Sequence, residues 1–515
     1  MRTIFITVPG WMEFRNFIAT DAFRILKSRE DLRLVVFTPS NLHGMIPKSE
    51  NVVLEDLEAF EPSFTEKAFR KAQELVFFNI NRTETVKTYE LMLKRKRYRR
   101  YLLFKLVRKV LGKRWRVIRG LERLDMFLSK FSYGKHDHLF EKYEPDLLLS
   151  CNFMSRHDLV LVKAAKLRGV PVVCMVANWD HLFKGRLPKC DRVIVWNDFQ
   201  KNQLVKYYRF DDKNIMVAGI PHQDYFKPHN LSTTREELLK SIGVPLDKKL
   251  IVYTTMSNTA SPDEPEFIEI LCQAITEGRI KYPSHLHVRV HPGEDIERYE
   301  KLKKYGGVIT FEKAAGGAFL SEKDMTHYAD LLSSADVLVN IASTVTLDAA
   351  ALDVPIVNIA FDSSQKRDLA ESTARFFKFE HYTMVAKSGG VKIAKNGGEL
   401  MDFVNRYLSD REMDREGRAK LAQELCHKLD GKTGERIAGY IIGFPEKREI
   451  DYCLHCGGEL AEPKSSEERQ YTCTTCGTNW VIRKRDDYEL WYALFDGGFD
   501  LFKIKNGRII EEAEP

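Results

Sequence analysis

No apolar run in this sequence reaches the ~18–20 residues that a membrane-spanning helix needs, so the chain reads as one without a transmembrane anchor. The first ten residues pass from a strand-like segment straight into polar positions, without the basic start and apolar stretch of a secretory leader. Cysteine is sparse. Of nine, Cys151, Cys174, Cys190, Cys272 and Cys426 stand apart among apolar or helical neighbours. That pattern excludes a disulfide framework and implies a reducing, cytoplasmic compartment. There is no Walker-type phosphate loop and no Gly-x-Gly-x-x-Gly, which argues against ATPase and dehydrogenase chemistry. Internal repeats and low-complexity segments are absent as well.

What is present is a folded-protein composition: 515 residues, 44% hydrophobic and 30% charged, enough for several domains. Net charge is +7, but it is unevenly spread. Thirteen Lys/Arg and no acid lie between Lys94 and Arg119; the remainder holds 67 cations against 73 acids, a net −6. On a helical wheel Lys105, Arg108, Lys109, Lys113, Arg116 and Arg119 cover one arc of about 140°. Leu103, Leu106, Val107, Val110, Leu111, Val117 and Ile118 cover the other side. Three readings stand: a solvated face on a helix packed to a sheet, attraction to anionic lipid headgroups or a phosphorylated lipid acceptor, or contact with nucleic acid.

Short apolar runs at 3–8, 32–38, 145–150, 171–176, 191–196 and 214–218 alternate with helical patterns. They predict a parallel sheet covered on both faces. A long, almost wholly helical insertion spans about 64–142. After a polar connection, runs at 249–255, 286–290, 308–311, 336–341 and 355–360 predict a second such sheet, followed by helices from about 398 to 441. The expected fold is α/β: two tandem doubly wound, Rossmann-like domains, 1–226 and 227–445, with a small module at 450–515. Ligands in such folds sit at the carboxyl ends of the strands.

The last module carries Cys453-x-x-Cys456 and Cys473-x-x-Cys476, sixteen residues apart, each pair followed by glycine. Four thiolates at this spacing predict a zinc ribbon with one structural, tetrahedral Zn²⁺ and no open coordination position. Its eight Lys/Arg against thirteen Asp/Glu repel phosphate, which argues against nucleic acid as a partner. Trp480, Trp491, Tyr492 and Phe495 are expected to fill its core or dock it.

Three polar strand ends in the second domain converge on a candidate anion site. They are Thr255 and Ser257; Arg289, His291 and Glu294; and Ser343, Thr344 and Thr346, where a buried strand runs into a helix start. Asp348, one turn further, is a candidate acceptor from a ribose or sugar hydroxyl, as is Glu294. In the first domain Asp180 and His181 are the leading candidates for a general base, with His157, Asp158 and Glu13 next. Trp11, Glu13 and Trp179 are candidates for acceptor contact, the two tryptophans by stacking.

Taken together, Trp179-Asp-His, Asp191-Arg-Val-Ile-Val-Trp-Asn197, Val217-Ala-Gly-Ile-Pro-His-Gln-Asp224, Arg289-Val-His-Pro and Ser343-Thr344 resemble the GT-B superfamily of nucleotide-sugar glycosyltransferases. They look like bacterial surface-polysaccharide transferases, CDP-glycerol glycerophosphotransferases and UDP-N-acetylglucosamine 2-epimerases. The resemblance covers about residues 1–445. It implies that the second domain holds a nucleotide-diphosphate donor, with His291, Ser343 and Thr344 on the diphosphate, and that the first binds a glycan or lipid-linked acceptor. Metal-independent glycosyl transfer at the inner face of the plasma membrane is the expected activity. Phosphoalditol transfer, sugar epimerisation and a non-catalytic scaffold docked through the zinc module are the alternatives.

Overall fold

Continuous apolar runs become strands buried on both faces. Ile4, Phe5 and Ile6, and likewise Leu147, Leu148 and Leu149, are fully buried. The computed structural model describes residues 1–57, 63–129, 136–183, 190–226, 231–258, 260–313, 321–363, 367–444, 470–473, 478–484, 489–495, 498–505 and 508–512.

β1 (Arg2–Thr7), β2 (Leu32–Thr38), β3 (Val52–Asp56), β4 (Leu147–Ser150), β5 (Val172–Met175), β6 (Arg192–Val195) and β7 (Ile215–Val217) form a parallel sheet in the order β3-β2-β1-β4-β5-β6-β7. β8 (Lys249–Thr254), β9 (Ser284–Val290), β10 (Ile309–Lys313), β11 (Val337–Asn340), β12 (Ile356–Ile359) and β13 (Val391–Ala394) form a second, in the order β10-β9-β8-β11-β12-β13. Strand order reverses between β1 and β4, and again between β8 and β11. Loops diverge at such points and leave a crevice at the strands' carboxyl ends. The edge strands β3 and β13 are not among the strands expected from sequence.

The second half returns to the first. Helix Thr433–Ile442 packs on helix Asp21–Lys27, and Ile437, Ala438, Ile441 and Phe444 join the core that holds Ile4, Phe17 and Ala22. Gly434 permits the approach: a Cβ there would lie 2.7 Å from the Ala22 amide nitrogen. Asp224 caps the arrangement by accepting from the backbone N–H groups of Thr433 (3.1 Å) and Gly434 (2.8 Å).

The helical insertion consists of helices Phe64–Ile80, Glu84–Lys96, Tyr98–Leu111 and Trp115–Ser129. The single basic helix expected from the wheel is broken at Gly112, whose φ of 69° stops the first segment. Arg108 is a further correction. It points inward, ion-paired with Glu90 and donating to Asn79 Oδ1 at 3.0 Å, and does not belong to the cationic face. The apolar side is also reassigned. Phe104 and Ile118 are buried, whereas Leu103, Leu106 and Val110 are exposed. The insertion reaches the second domain: Arg95 pairs with Asp368 and Glu371, Lys96 with Glu371 at 2.9 Å, and Glu380 accepts from the Glu84 N–H. Among the described residues, no helix is long and apolar enough to cross a membrane.

At the C-terminus β14 (Gln470–Thr472), β15 (Asn479–Lys484), β16 (Glu489–Phe495), β17 (Gly498–Lys505) and β18 (Arg508–Glu512) form an antiparallel meander. Trp480 and Trp491 fill its core, as expected, with ring centroids 6.3 Å apart. Of the four predicted zinc ligands, Cys453, Cys456 and Cys476 lie outside the described residues. Cys473 is buried directly after β14, its N–H donating to the Thr478 carbonyl at 2.8 Å. Among the described residues there is no cluster able to hold a metal.

Candidate functional site

The two switch points face each other, and the first contributes a short turn after β1. Trp11, Glu13 and Arg15 project from it. Glu13 is buried and accepts from Asn152 Nδ2 at 2.5 Å. Burial, reinforced by the nearby Asp158 carboxylate, raises its pKa to about 7. Asp158 is fully buried, and burial raises its own pKa to about 6 against hydrogen bonds from Thr7, Ser150 and the Asn152 N–H. Trp11 lies edge-on to His291 of the second domain, centroids 6.1 Å apart.

Arg15 sits over Trp11 at 5.6 Å and donates to Asn16 Oδ1 at 3.2 Å. Among the described residues no carboxylate forms an ion pair with it. Burial lowers its pKa; the charges of Asp348, Tyr328 and Glu13 act in the other direction. Its charge in turn helps hold His222 and His291 below the usual histidine range, after burial itself. Nothing in the sequence pattern singled out Arg15. Its side chain becomes meaningful only once β1 is set opposite the second domain.

The β5 end contributes a second bridge. Thr344 Oγ1 donates to Asn178 Oδ1 across the cleft at 3.2 Å. Asp180 and His181 follow closely. The His181 ring is buried against Phe153, centroids 6.3 Å apart, inside the first domain. Trp179 is a correction: it is buried against His381 (5.0 Å) and Tyr382 (5.5 Å), and presents no open face for a sugar.

In the second domain the expected residues divide. His291 is half-buried at the cleft, and its N–H donates to Thr255 Oγ1 at 2.8 Å. Ser257 lies in the same loop, which is held by Glu264 accepting from the Met256 N–H at 2.8 Å. Ser343 and Thr344 are half-buried at the end of β11, with Ser343 Oγ accepting from Asn340 at 2.9 Å.

Four others are committed elsewhere. Arg289 is ion-paired with Glu312, and its guanidinium lies over the Tyr328 ring. Partial burial would raise the Glu312 pKa, yet bonds from His287 and His327 and the Arg289 charge hold it far below the carboxylate range. Glu294 accepts from the Asn258 N–H at 2.6 Å and from Arg298 at 3.3 Å. Thr346 is fully buried in a network with Asn340, Asn358 and Tyr382. Asp348 accepts from His222, Gln223 and Tyr328, and joins the domains instead of facing a ribose.

Two doubly wound sheets with facing switch points and a returning C-terminal helix define a protein of the GT-B fold. Residues 175–443, just over half of the chain, match the family described as CDP-Glycerol:Poly(glycerophosphate) glycerophosphotransferase. The chain belongs to that family. Among curated proteins, it is 22% identical over 315 residues to a lipid-A-disaccharide synthase of Geobacter sulfurreducens, covering 58% of this chain and 75% of that one. The counterpart from Geobacter metallireducens is 21% identical over 329 residues, covering 62% and 80%. Among solved structures, one from Listeria monocytogenes described as a UDP-N-acetylglucosamine 2-epimerase superposes with TM-score 0.50 at 13% identity, covering 85% of this chain and 95% of that one. That likeness concerns the fold.

Proposed function

We propose that the cleft transfers an activated group from a nucleotide-diphosphate donor to a hydroxyl of a glycan or lipid-linked acceptor in surface-polysaccharide synthesis. One observation carries the reading. The short helical segment after β1, at the carboxyl end of that strand, carries a buried carboxyl with a pKa of about 7 and, two residues on, a guanidinium that no carboxylate among the described residues pairs. A base poised near the working pH is what deprotonation of a hydroxyl requires. Glu13 takes that role ahead of Asp180 and His181, and Asn152 orients it. Arg15, His291, Ser343 and Thr344 meet the negative charge that develops on the leaving phosphate. Because protein groups supply this stabilisation, transfer is expected to proceed without added divalent metal and to survive EDTA.

In glycosyl transfer the acceptor proton moves to Glu13, a C–O bond forms at the anomeric carbon, and the nucleoside diphosphate leaves. The family match favours a second reading, phosphoalditol transfer. There the new bond forms at phosphorus and the nucleoside monophosphate leaves. Incubation with CDP-, UDP- and GDP-activated donors, with and without acceptor, separates them. Diphosphate release supports the first and monophosphate release the second. Sugar conversion without acceptor supports an epimerase. Release from no donor overturns the enzymatic reading in favour of the scaffold.

Structural zinc on Cys453, Cys456, Cys473 and Cys476 belongs to the same reading. The support is the C-x-x-C spacing and the buried Cys473 just past β14. Zinc would fasten the start of the meander and take no part in transfer. Location at the inner membrane face, through residues 94–119, is the remaining element.

A further inference from the structure

Helix Arg156–Leu167 follows β4, and Asp158 stands at its third position. An acid there ordinarily reaches back to cap its own helix. Asp158 does not, and the Ser155 N–H donates to the Asn152 carbonyl at 2.9 Å instead. The carboxylate turns to the carboxyl ends of β1 and β4, where Thr7 and Ser150 lie opposite each other in register. Its Oδ2 accepts from Thr7 Oγ1, from Ser150 Oγ at 2.7 Å and from the Asn152 N–H at 3.2 Å. Its Oδ1 is buried with no hydrogen-bond partner among the described residues. Asp158, Thr7 and Ser150 are completely buried.

Asn152 connects this carboxylate to the cleft. Its N–H is held by Asp158, and its Oδ1 accepts from the Met154 N–H at 3.0 Å. With Oδ1 taken, the amide has one way to face, and Nδ2 donates to Glu13 Oε1 at 2.5 Å. The other Glu13 oxygen lies against Gly10, where a Cβ would come to 3.3 Å of it. The charged and titratable groups that act on Glu13 are Asp158 from helix Arg156–Leu167, Arg15 from its own turn and the buried Cys151 thiol after β4. His291 of the second domain faces the same turn, edge-on to Trp11. Among the described residues neither Glu13 nor Asp158 forms an ion pair. An amide in place of the Asp158 carboxylate would accept the same three bonds, so those bonds do not explain its charge. Two unpaired acids buried near each other cost stability, and such pairs gather where protons are moved.

We propose that Asp158 is a positioning residue for group transfer: through Asn152 it aims the Glu13 carboxyl, and its negative charge makes Glu13 a stronger proton acceptor. The inference rests on the reading of Glu13 as the base. Its two links act in opposite senses. The Asp158 charge favours protonated Glu13, whereas the Asn152 donor favours the ionised form. Burial raises the Asp158 pKa to about 6, below the value of about 7 for Glu13, so Asp158 is ionised where Glu13 takes up its proton.

The Glu13 carboxyl of the full-length protein is titrated by infrared difference spectroscopy in wild type, Asp158→Asn and Asn152→Ala, each against its own Glu13→Gln counterpart. Asp158→Asn should lower the midpoint and Asn152→Ala should raise it. The acid limb of kcat/KM, measured with the CDP-, UDP- or GDP-activated donor that wild type turns over, should move in the same two directions. Both variants should lose kcat on the order of tenfold with the donor KM unchanged. At pH 8 Asp158→Asn should melt no lower than wild type, because it removes a buried charge and keeps an acceptor for Thr7 and Ser150. An unmoved midpoint in Asp158→Asn, or both midpoints moving the same way, overturns the proposal. So does a kcat loss that is equal at every pH and comes with a lower melting temperature, the mark of a structural carboxylate. Full turnover in Glu13→Gln overturns the reading of the base as well. Lost turnover there, with the Asp158→Asn limb unmoved, overturns the role of Asp158 alone.

Discussion

Asp348 of the second domain accepts a hydrogen bond from His222 Nε2 at 3.0 Å, with both residues almost completely buried. Gln223 and Tyr328 donate to the same carboxylate at 2.9 and 2.8 Å. Burial would raise the Asp348 pKa, but His222 and the other donors lower it below the ordinary value. Burial and the Arg15 charge lower that of His222. The contact therefore joins a carboxylate to a neutral imidazole. Asp348→Ala leaves three donors without their acceptor and should cost roughly 3–5 kcal/mol, read by denaturant unfolding.

The same pair sets an acid sensitivity. A histidine kept neutral by the fold contributes stability above its unfolded pKa of about 6.5 and loses it as pH falls below that. Asp348 adds a further loss as pH falls through the carboxylate range. The raised pKa of Glu13 acts the other way over the same range, so the pair is read by difference: between pH 7 and 5 His222→Gln should lose less stability than wild type. Identical pH dependence in the two proteins would refute the assignment.

Glu13 behaves in the opposite sense. Its folded pKa of about 7 stands above the ordinary glutamate value, so the folded state holds the proton more tightly. Its contribution to stability is complete below pH ~4.5 and is lost as pH rises through 7, on the order of 3 kcal/mol in all. Glu13→Gln should therefore stabilise the protein at pH 8 while lowering turnover ~10²–10⁴-fold. The acid limb of the wild-type kcat/KM profile should fall near pH 7. Undiminished turnover in the Gln variant would remove Glu13 as the base.

Arg15→Ala should weaken nucleotide-diphosphate affinity about tenfold to a hundredfold, the worth of a charge-assisted contact. Nucleoside affinity should change little. Calorimetric titration of CDP, UDP and cytidine separates the two effects.

Gly434 tests the return helix. Gly434→Val drives a side chain into the Ala22 backbone and should cost about 1–3 kcal/mol. A variant as stable as wild type would mean that the helices do not pack this closely.

Sequence pattern alone located most strands of both sheets, because each is a short apolar run between helical periods. It passed over β3 and β13, because Val52–Asp56 is partly buried and ends on two acids, and the four-residue Val391–Ala394 is interrupted by Lys392, so neither stands out as an apolar run. The candidate site was half legible. Ser343, Thr344, His291 and Glu13 stand at strand ends, a place that periodicity reveals. The roles of Arg289, Glu294, Thr346 and Asp348 depend on partners such as Glu312, Arg298, Tyr382 and His222, which only the fold brings near. The basic wheel misassigned Leu106 and Val110 because a helix with two apolar sectors looks, from sequence, like one with a single buried side.

Thr433–Ile442 gives the molecule a property that its two-sheet plan conceals. The strip covering Ala22 and Phe23 is encoded after the last strand of the second sheet. A fragment ending before that strip would expose an oily seam and clump. The two halves are thus a single heritable unit: neither can be cut away, shuffled or expressed by itself without leaving the other unfinished.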